Sequence, residues 1–312
     1  MVSQHVRVEV DLARVRRNAA DVAARVGVPV WATIKADAYG LGAARVAAAL
    51  ADVPGVAGFC VFALAEATSV DLWNLTGKAA ITLGPPQTLD SRPWIDAHVR
   101  PAVSNAAEAA RLVPARPILC VDTGMQRFAC PPDRVADVIE AGKIDEAFTH
   151  ATRLEHVVRL RQLAGGRPIR LHAAATALLD DPRARLDAVR PGLALYRGAV
   201  RARVRLVEAR PSTGPVGYSG WPSETGHHGV IISGYSNHLR PGPVVVNGRR
   251  QRITEVGMQS AYVTLHAEDR PGDEVVLLGE GLTEDELAPA WGATPHQVLL
   301  TLASMGGRDY VG

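Results

Sequence analysis

In the stretch Trp31-Ala32-Thr33-Ile34-Lys35-Ala36-Asp37-Ala38-Tyr39-Gly40 a lysine stands where an apolar run ends. Of 34 basic residues only Lys35, Lys78 and Lys143 are lysines, so a chain that otherwise uses arginine has placed an exchangeable amine at this point. An amine at the mouth of an apolar pocket loses solvation, and its pKa falls toward the range where it condenses with a carbonyl or exchanges a proton. A strand-ending lysine with its head in water is the plainer reading, and spacing alone does not separate the two. Similar groups follow later apolar runs: Asp122-Thr123-Gly124-Met125-Gln126-Arg127, His150, His172 with Thr176 beyond it, and Arg190 before Pro191-Gly192. Gathered at one rim with Tyr39, they suit an anionic ligand bearing a carbonyl that an amine attacks. Singly, Tyr39 and Thr176 are caps, Arg190 a surface ion pair, and His172 a hydrogen-bonded core histidine.

The elements that must position these groups alternate in type. Up to about residue 198, β-type runs near 30–35, 58–62, 79–83, 99–104, 117–122, 146–150, 169–173 and 188–195 are separated by helical stretches at 42–50, 64–75, 105–113, 133–141 and 153–163. Such alternation implies parallel strands with helical crossovers. Eight strands point to a closed (β/α)8 TIM-type barrel, whose working residues lie at the C-terminal strand ends. The crossovers at 88–97 and after Thr176 are weak as helices, which keeps a doubly wound sheet open. An extra strand at 6–10 precedes the first barrel strand, with Asp11 capping a helix to about residue 26. After about residue 206 proline- and glycine-rich turns separate β-rich runs at 229–233, 244–246, 261–265 and 274–278, and Asn247-Gly248 signals a hairpin. The expected division is a barrel domain over 1–205 and a mainly β domain over 206–312, closed by short helices at 283–291 and 294–303.

The totals narrow the function classes. A composition of 47% hydrophobic and 21% charged residues, with mean hydropathy +0.03, is that of an ordinary globular protein. A net charge of +2 without runs of like charge, and only 5% aromatics, argue against a nucleic-acid partner. No apolar run reaches the roughly 18 residues of a membrane span, and the N-terminus lacks a signal-peptide pattern. Three cysteines without C-x-x-C spacing fit a reducing compartment, so a cytoplasmic location is expected. His227-His228, the one adjacent histidine pair, has no cysteine or carboxylate at ligand spacing, and no metal is expected.

The segments Lys35-Ala36-Asp37-Ala38-Tyr39-Gly40, Val121-Asp122-Thr123-Gly124-Met125-Gln126-Arg127, Thr149-His150, Arg190-Pro191-Gly192-Leu193-Ala194-Leu195-Tyr196, Val216-Gly217-Tyr218 and Gly234-Tyr235 occur in the order and approximate spacing of the alanine racemases. The chain resembles that family over nearly its whole length. The resemblance implies a pyridoxal 5'-phosphate (PLP) enzyme with a barrel and a β domain, making D-alanine for cell-wall precursors. It also implies a homodimer in which each active site borrows residues from the partner.

Carried over, Lys35 would hold PLP covalently and act as one catalytic base, and Tyr218 of the partner subunit would be the other. Two bases make chemical sense, because the α-proton must leave one face of the carbon and return on the opposite face. Arg190 would face the pyridine nitrogen and keep it unprotonated, which limits side reactions. Arg127 would bind near the phenolic oxygen and the substrate carboxylate, and His150 would support the ring. Tyr39, Thr176 and backbone N–H groups near Gly192 and Leu193 would hold the phosphate. Met258, also from the partner, would place its backbone near the carboxylate.

Departures from the family pattern leave room for alternatives. Cys120 stands where many members have a carbamylated lysine that positions the arginine matched by Arg127. Ala175-Thr176 replaces Asn-Ser, Ser236-Asn237-His238 replaces Ala-Asp-Gly, and Gln259 replaces aspartate. Ser304 falls where the family has a phosphate-side tyrosine, and the region around 151–170 is short. A PLP-binding protein of this fold without turnover, or a racemase for another small amino acid, therefore stands beside alanine racemisation. A D-amino-acid aldolase or dehydratase of the same barrel would be expected to need a metal site.

Overall fold

The computed structural model describes residues 3–312. Along the chain, strands run over β1 (Ser3–Asp11), β2 (Val30–Thr33), β3 (Val56–Val61), β4 (Ala80–Thr82), β5 (Val99–Arg100), β6 (Ala102–Val103), β7 (Ile118–Cys120), β8 (Glu146–Ala151) and β9 (Arg170–Ala174). They continue as β10 (Val200–Pro211), β11 (His227–Ile231), β12 (Gly242–Val246), β13 (Arg249–Val256), β14 (Ala261–Leu265), β15 (Glu274–Leu278) and β16 (Gly306–Val311). The chain forms two compact units. One spans residues 15–38 and 42–197, and the other gathers residues up to Arg14, 39–41 and 198–312.

The first unit is built on two parallel sheets, β2-β3-β4-β5 and β6-β7-β8-β9. Pro101 lacks an N–H and divides β5 from β6, yet its carbonyl still accepts from Ile118 N at 2.9 Å, and Ala102 N donates to Thr82 Oγ1 at 2.8 Å. Beyond β9, Ala188 bridges in parallel to His172 and Val189 to Val30 of β2. Strands covered on both faces read as unbroken apolar runs. Cys60, Ile81, Ala102, Ile118, Cys120 and Phe148 accordingly form one buried cluster from five of the strands. The helices pack the outside by ordinary periodicity: Leu12–Val26 buries Val15, Ala19, Val22 and Val26, and Leu154–Ala164 buries Val157, Leu160 and Ala164.

In the second unit β11-β14-β13-β12-β15-β10 pair antiparallel in that order, and β10 also pairs with β11, so the six strands close on themselves. β10 is long enough to pair with β15 and β1 through its first half and with β11 through its second. Asn247 (φ 48°) and Gly248 (φ 75°) make the hairpin turn between β12 and β13, where both central residues need positive φ. Thr283 caps the helix Glu284–Ala290, and Thr294 with Gln297 forms a capping box on Pro295–Ala303.

Three expectations need correction. The N-terminal strand pairs antiparallel with β10 and parallel with β16, because its alternating Val6, Val8 and Val10 bury one face there; it belongs to the β unit, and the boundary falls at 197/198, not 205/206. The run expected as a strand over 188–195 extends only as bridges, since Pro191 cannot donate to a ladder and Leu193–Tyr196 turns helical. The single helix expected over 64–75 is two, Leu64–Thr68 and Leu72–Thr76, split where Asp71 adopts φ 48°. Among the described residues no helix is long and apolar enough to cross a membrane.

A Cβ added at Gly248 would meet open space, so Gly248→Ala isolates the backbone term. It is expected to destabilise by about 1 kcal/mol, read as a lower urea midpoint at unchanged slope.

Candidate active site

Lys35 follows β2 and opens a turn of rare geometry. Ala36, Asp37, Ala38 and Tyr39 have φ of 54°, 54°, 53° and 58°, a left-handed turn made without glycine. Each such L-residue costs about 1–2 kcal/mol, so the surroundings must over-determine it. Two carboxylates do so. Glu66 accepts the N–H of Ala36 at 2.9 Å on one oxygen and that of Phe62 at 2.5 Å on the other, tying the turn to the end of β3. Asp37 accepts Ala43 N at 2.7 Å on its side chain and Gly42 N at 2.9 Å on its carbonyl. The Lys35 amine is thereby fixed by its backbone. Burial, followed by the positive charges of Arg127 and Arg190, lowers its pKa from 10.5.

Lys35, Arg127, His150 and Arg190 line one open cleft, with Cys120 and Phe148 in its wall. Arg190 is 4% exposed, and burial pulls its pKa below 12.5. One of its amino groups donates to the carbonyl of Thr149, and its guanidinium carbon lies 4.6 Å from the centre of the Phe148 ring. Its Nε–H has no partner, and among the described residues no carboxylate pairs with it. A fully buried cation with an unspent donor beside a cleft is arranged for an acceptor that comes from outside the chain. The His172 ring also stacks on Phe148, at 5.5 Å and 22°. His172 Nε2 sits 3.2 Å from Glu146 Oε1, off the line of a good hydrogen bond, while Arg170 donates to Glu146 at 2.6 Å and Arg100 also binds it.

Arg127 lies in a loop shaped by Asp122, whose carboxylate accepts Gly124 N at 2.8 Å and Gln126 N at 3.0 Å. Burial opposes ionisation of Asp122, but these amide bonds outweigh it and hold the carboxyl below its usual value. Arg127 itself is exposed and faces the Phe128 ring at 6.0 Å, with no ion pair among the described residues. Burial pushes the Cys120 thiol up to about 12, so it is neutral and offers the arginine no charge.

Thr176 makes a separate cluster: its Oγ1 accepts Ala194 N at 3.1 Å and Gly192 N at 3.4 Å, at the start of the short helix Leu193–Tyr196. Of the amides expected there, the structure turns those of Gly192 and Ala194 toward Thr176, not that of Leu193. Tyr39, Tyr218 and Met258 belong to the β unit. The Tyr39 ring lies 5.8 Å from His296, and Arg308 donates to the carbonyl of Gly40 at 2.8 Å. Tyr218 and Met258 are 88% and 62% exposed. Sequence reasoning missed Glu66, Glu146, Phe148 and Ala194. Glu66 reads as a solvated helix position and Phe148 as core, and neither carries a signal of its partners.

The chain matches the alanine racemase N-terminal domain family over residues 10–200. It is 31% identical to an alanine racemase of Deinococcus deserti over 93% of this chain and 94% of that one. Among solved structures it superposes on the biosynthetic alanine racemase of Pseudomonas aeruginosa with a TM-score of 0.87 at 24% identity, covering 99% of this chain and all of that one. The Bartonella henselae alanine racemase, solved with covalently bound pyridoxal phosphate, gives a TM-score of 0.84 at 21% identity over 99% and 100%.

Two predictions follow from the site's electrostatics. Glu66→Ala leaves two amides unpaired and should cost about 1–3 kcal/mol, measured by denaturant unfolding. Acid titration should also register the buried pair. His172 is held at about 4 instead of 6.5, first by burial, and Glu146 at about 2 instead of 4.5, where its partners overcome burial. Both groups bind fewer protons folded than unfolded, so their stabilisation is complete above pH 6.5. It is lost to His172 between 6.5 and about 4 and to Glu146 between 4.5 and about 2. Urea midpoints against pH should fall through both windows, and His172→Gln should flatten the upper one.

A family model spanning more than half of the chain, and a relative of 31% identity along nearly all of it, agree with this arrangement of cationic groups around a half-buried amine: the chain belongs to the alanine racemase family.

Proposed function

We propose that this chain is a PLP-dependent racemase that interconverts L- and D-alanine with two opposed bases, Lys35 and Tyr218 of the partner subunit. The observation that carries the reading is the Lys35 amine, its pKa lowered by burial, in one cleft with a buried Arg190 whose Nε–H is unspent. The pairing of residues 188–191 with both β9 and β2, and the continuity across Pro101, support a closed eight-stranded barrel of TIM type. Lys35, Arg127, His150 and Arg190 would then share the C-terminal rim where such barrels work.

The donor set fits PLP. Lys35 supplies the amine for covalent attachment, and the Thr176 hydroxyl, which here accepts the Gly192 and Ala194 amides, supplies a donor for a phosphate. His150, in the cleft with Lys35 and Arg190, supports the ring. When bound, PLP withdraws electrons from an amino acid joined to it and acidifies the α-C–H. The rest is done by the chain. Arg190, charged at every working pH, offers a donor to the pyridine nitrogen and leaves it no proton. Arg127 binds the substrate carboxylate, with the backbone of Met258 of the partner subunit beside it. The Lys35 amine takes or returns the α-proton on one face and the Tyr218 phenol on the other.

Exposed Tyr218, Tyr235 and Met258 support the homodimer, and the backbones of the last two run side by side, with Tyr235 N donating to Gly257 O at 2.9 Å and Ser236 N to Met258 O at 3.0 Å. The unpaired thiols of Cys60, Cys120 and Cys130 suit a cytoplasmic location. A neutral Cys120 in the same cleft as an Arg127 that makes no ion pair among the described residues favours two further readings, a racemase for a different small amino acid and a site that binds PLP without turnover.

Holo-protein incubated with L-alanine in heavy water should yield D-alanine carrying deuterium at the α-carbon, and a chiral assay across serine and larger amino acids should rank alanine first. Lys35→Ala should lose both turnover and the borohydride-fixable cofactor absorbance. Turnover that survives Lys35→Ala, or D-alanine that keeps its original proton, would overturn the proposal.

A further inference from the structure

Tyr218 sits in the four-residue turn 217–220, closed by reciprocal backbone hydrogen bonds between Val216 and Trp221, both 3.0 Å. Gly217 and Gly220 have φ of 76° and 63°, so the turn doubles back within its own length. With its side chain 88% exposed, Tyr218 takes its direction chiefly from this backbone.

The turn is filled by one carboxylate. Glu255, near the end of β13, accepts the N–H of Tyr218 at 2.7 Å on one oxygen and the N–H of Ser219 at 2.9 Å on the other, and it also binds the Ser219 hydroxyl. Successive amides converging on an anion form a nest, here occupied by the chain's own side chain. A second feature is built around the same group. A Cβ at Gly217 would stand 2.8–2.9 Å from the Glu255 carboxylate, so a larger residue there must displace the carboxylate and also strain a backbone at φ 76°. Two residues after Glu255, a Cβ at Gly257 would lie 3.5 Å from Tyr218 Cε2, an ordinary contact distance. One segment therefore holds the tyrosine's backbone through its carboxylate, passes near its ring and continues directly into Met258.

We propose that Glu255 is a positioning residue for the racemase reaction, the anchor that sets the Tyr218 phenol at the angle its α-proton transfer requires. This rests on the reading of Tyr218 as the second base, the one that meets the α-proton of L-alanine, with Lys35 meeting that of D-alanine. Removing the anchor leaves Lys35, Arg190 and Thr176 untouched, because those belong to the other unit. A merely structural role would lower every step alike. The enantiomers are equal in energy, so racemisation falls equally in both directions, and only α-hydrogen exchange of each enantiomer separates the two bases.

The test uses the holoenzyme in heavy water, with deuterium uptake into L- and D-alanine followed separately by NMR and cofactor loading followed by borohydride fixation on Lys35. Tyr218→Phe is the reference and should lose L-alanine exchange while D-alanine exchange persists. Glu255→Ala is expected to lower L-alanine exchange on the order of 10²-fold, with D-alanine exchange and loading retained. Glu255→Gln, which keeps one acceptor oxygen, should recover part of the rate, and Gly217→Ala should behave like Glu255→Ala. Unchanged L-alanine exchange in Glu255→Ala, or equal loss for both enantiomers, overturns the positioning role. If Tyr218→Phe itself leaves L-alanine exchange intact, the assignment of the second base fails and this proposal fails with it.

Discussion

Four consecutive L-residues held at positive φ after Lys35 are the constraint on which the cleft depends. A lysine on a free strand end would turn its head to water, where its pKa would be ordinary. The left-handed turn prevents this by redirecting the chain at once, and it persists because Glu66 and Asp37 occupy the amides that the unusual backbone presents. Glu66 contributes twice: the bond to Phe62 makes the turn part of the β3 end, and its charge opposes the fall in the Lys35 pKa caused by burial and by Arg127.

Behind the cleft the same logic governs the buried cations. Phe148 neighbours both Arg190 and the neutral His172, and Glu146 beside His172 is held by Arg100 and Arg170. The carboxylate that could neutralise Arg190 is committed elsewhere, and the Phe148 ring offers only a weak attraction. The guanidinium keeps its charge and an unused donor, which is the condition for acting on a ligand instead of on a neighbour. Cys120 contributes apolar wall, since burial keeps its thiol protonated.

The two units solve different problems. Parallel strands buried on both faces give a rigid frame with loops free to differ at one end. The six closed antiparallel strands leave no edge except through β1 and β16, which extend β10 and tie the first residues of the chain to the last. The β unit presents its tyrosine on a turn fastened by Glu255, so an exposed side chain still has a defined direction.

The sequence by itself determined the alternation of strands and helices, the Asn247-Gly248 hairpin, the two closing helices and the position of Lys35 at the end of an apolar run. These depend on local periodicity, turn chemistry and motif spacing, which a chain carries in its residue order. It did not disclose that β1 joins the β unit, that residues 193–196 coil into a helix, or that Lys35 is followed by a left-handed turn. Those outcomes were decided by partners distant in sequence: β16 for β1, the carbonyl-to-amide pairing of Pro191 with Thr33 for the end of the last strand, and Glu66 for the turn. Glu255 is the clearest case. In sequence it is one more charged residue of an exposed strand, and only the fold brings the amides of Tyr218 and Ser219, 37 and 36 residues earlier, onto its two oxygens.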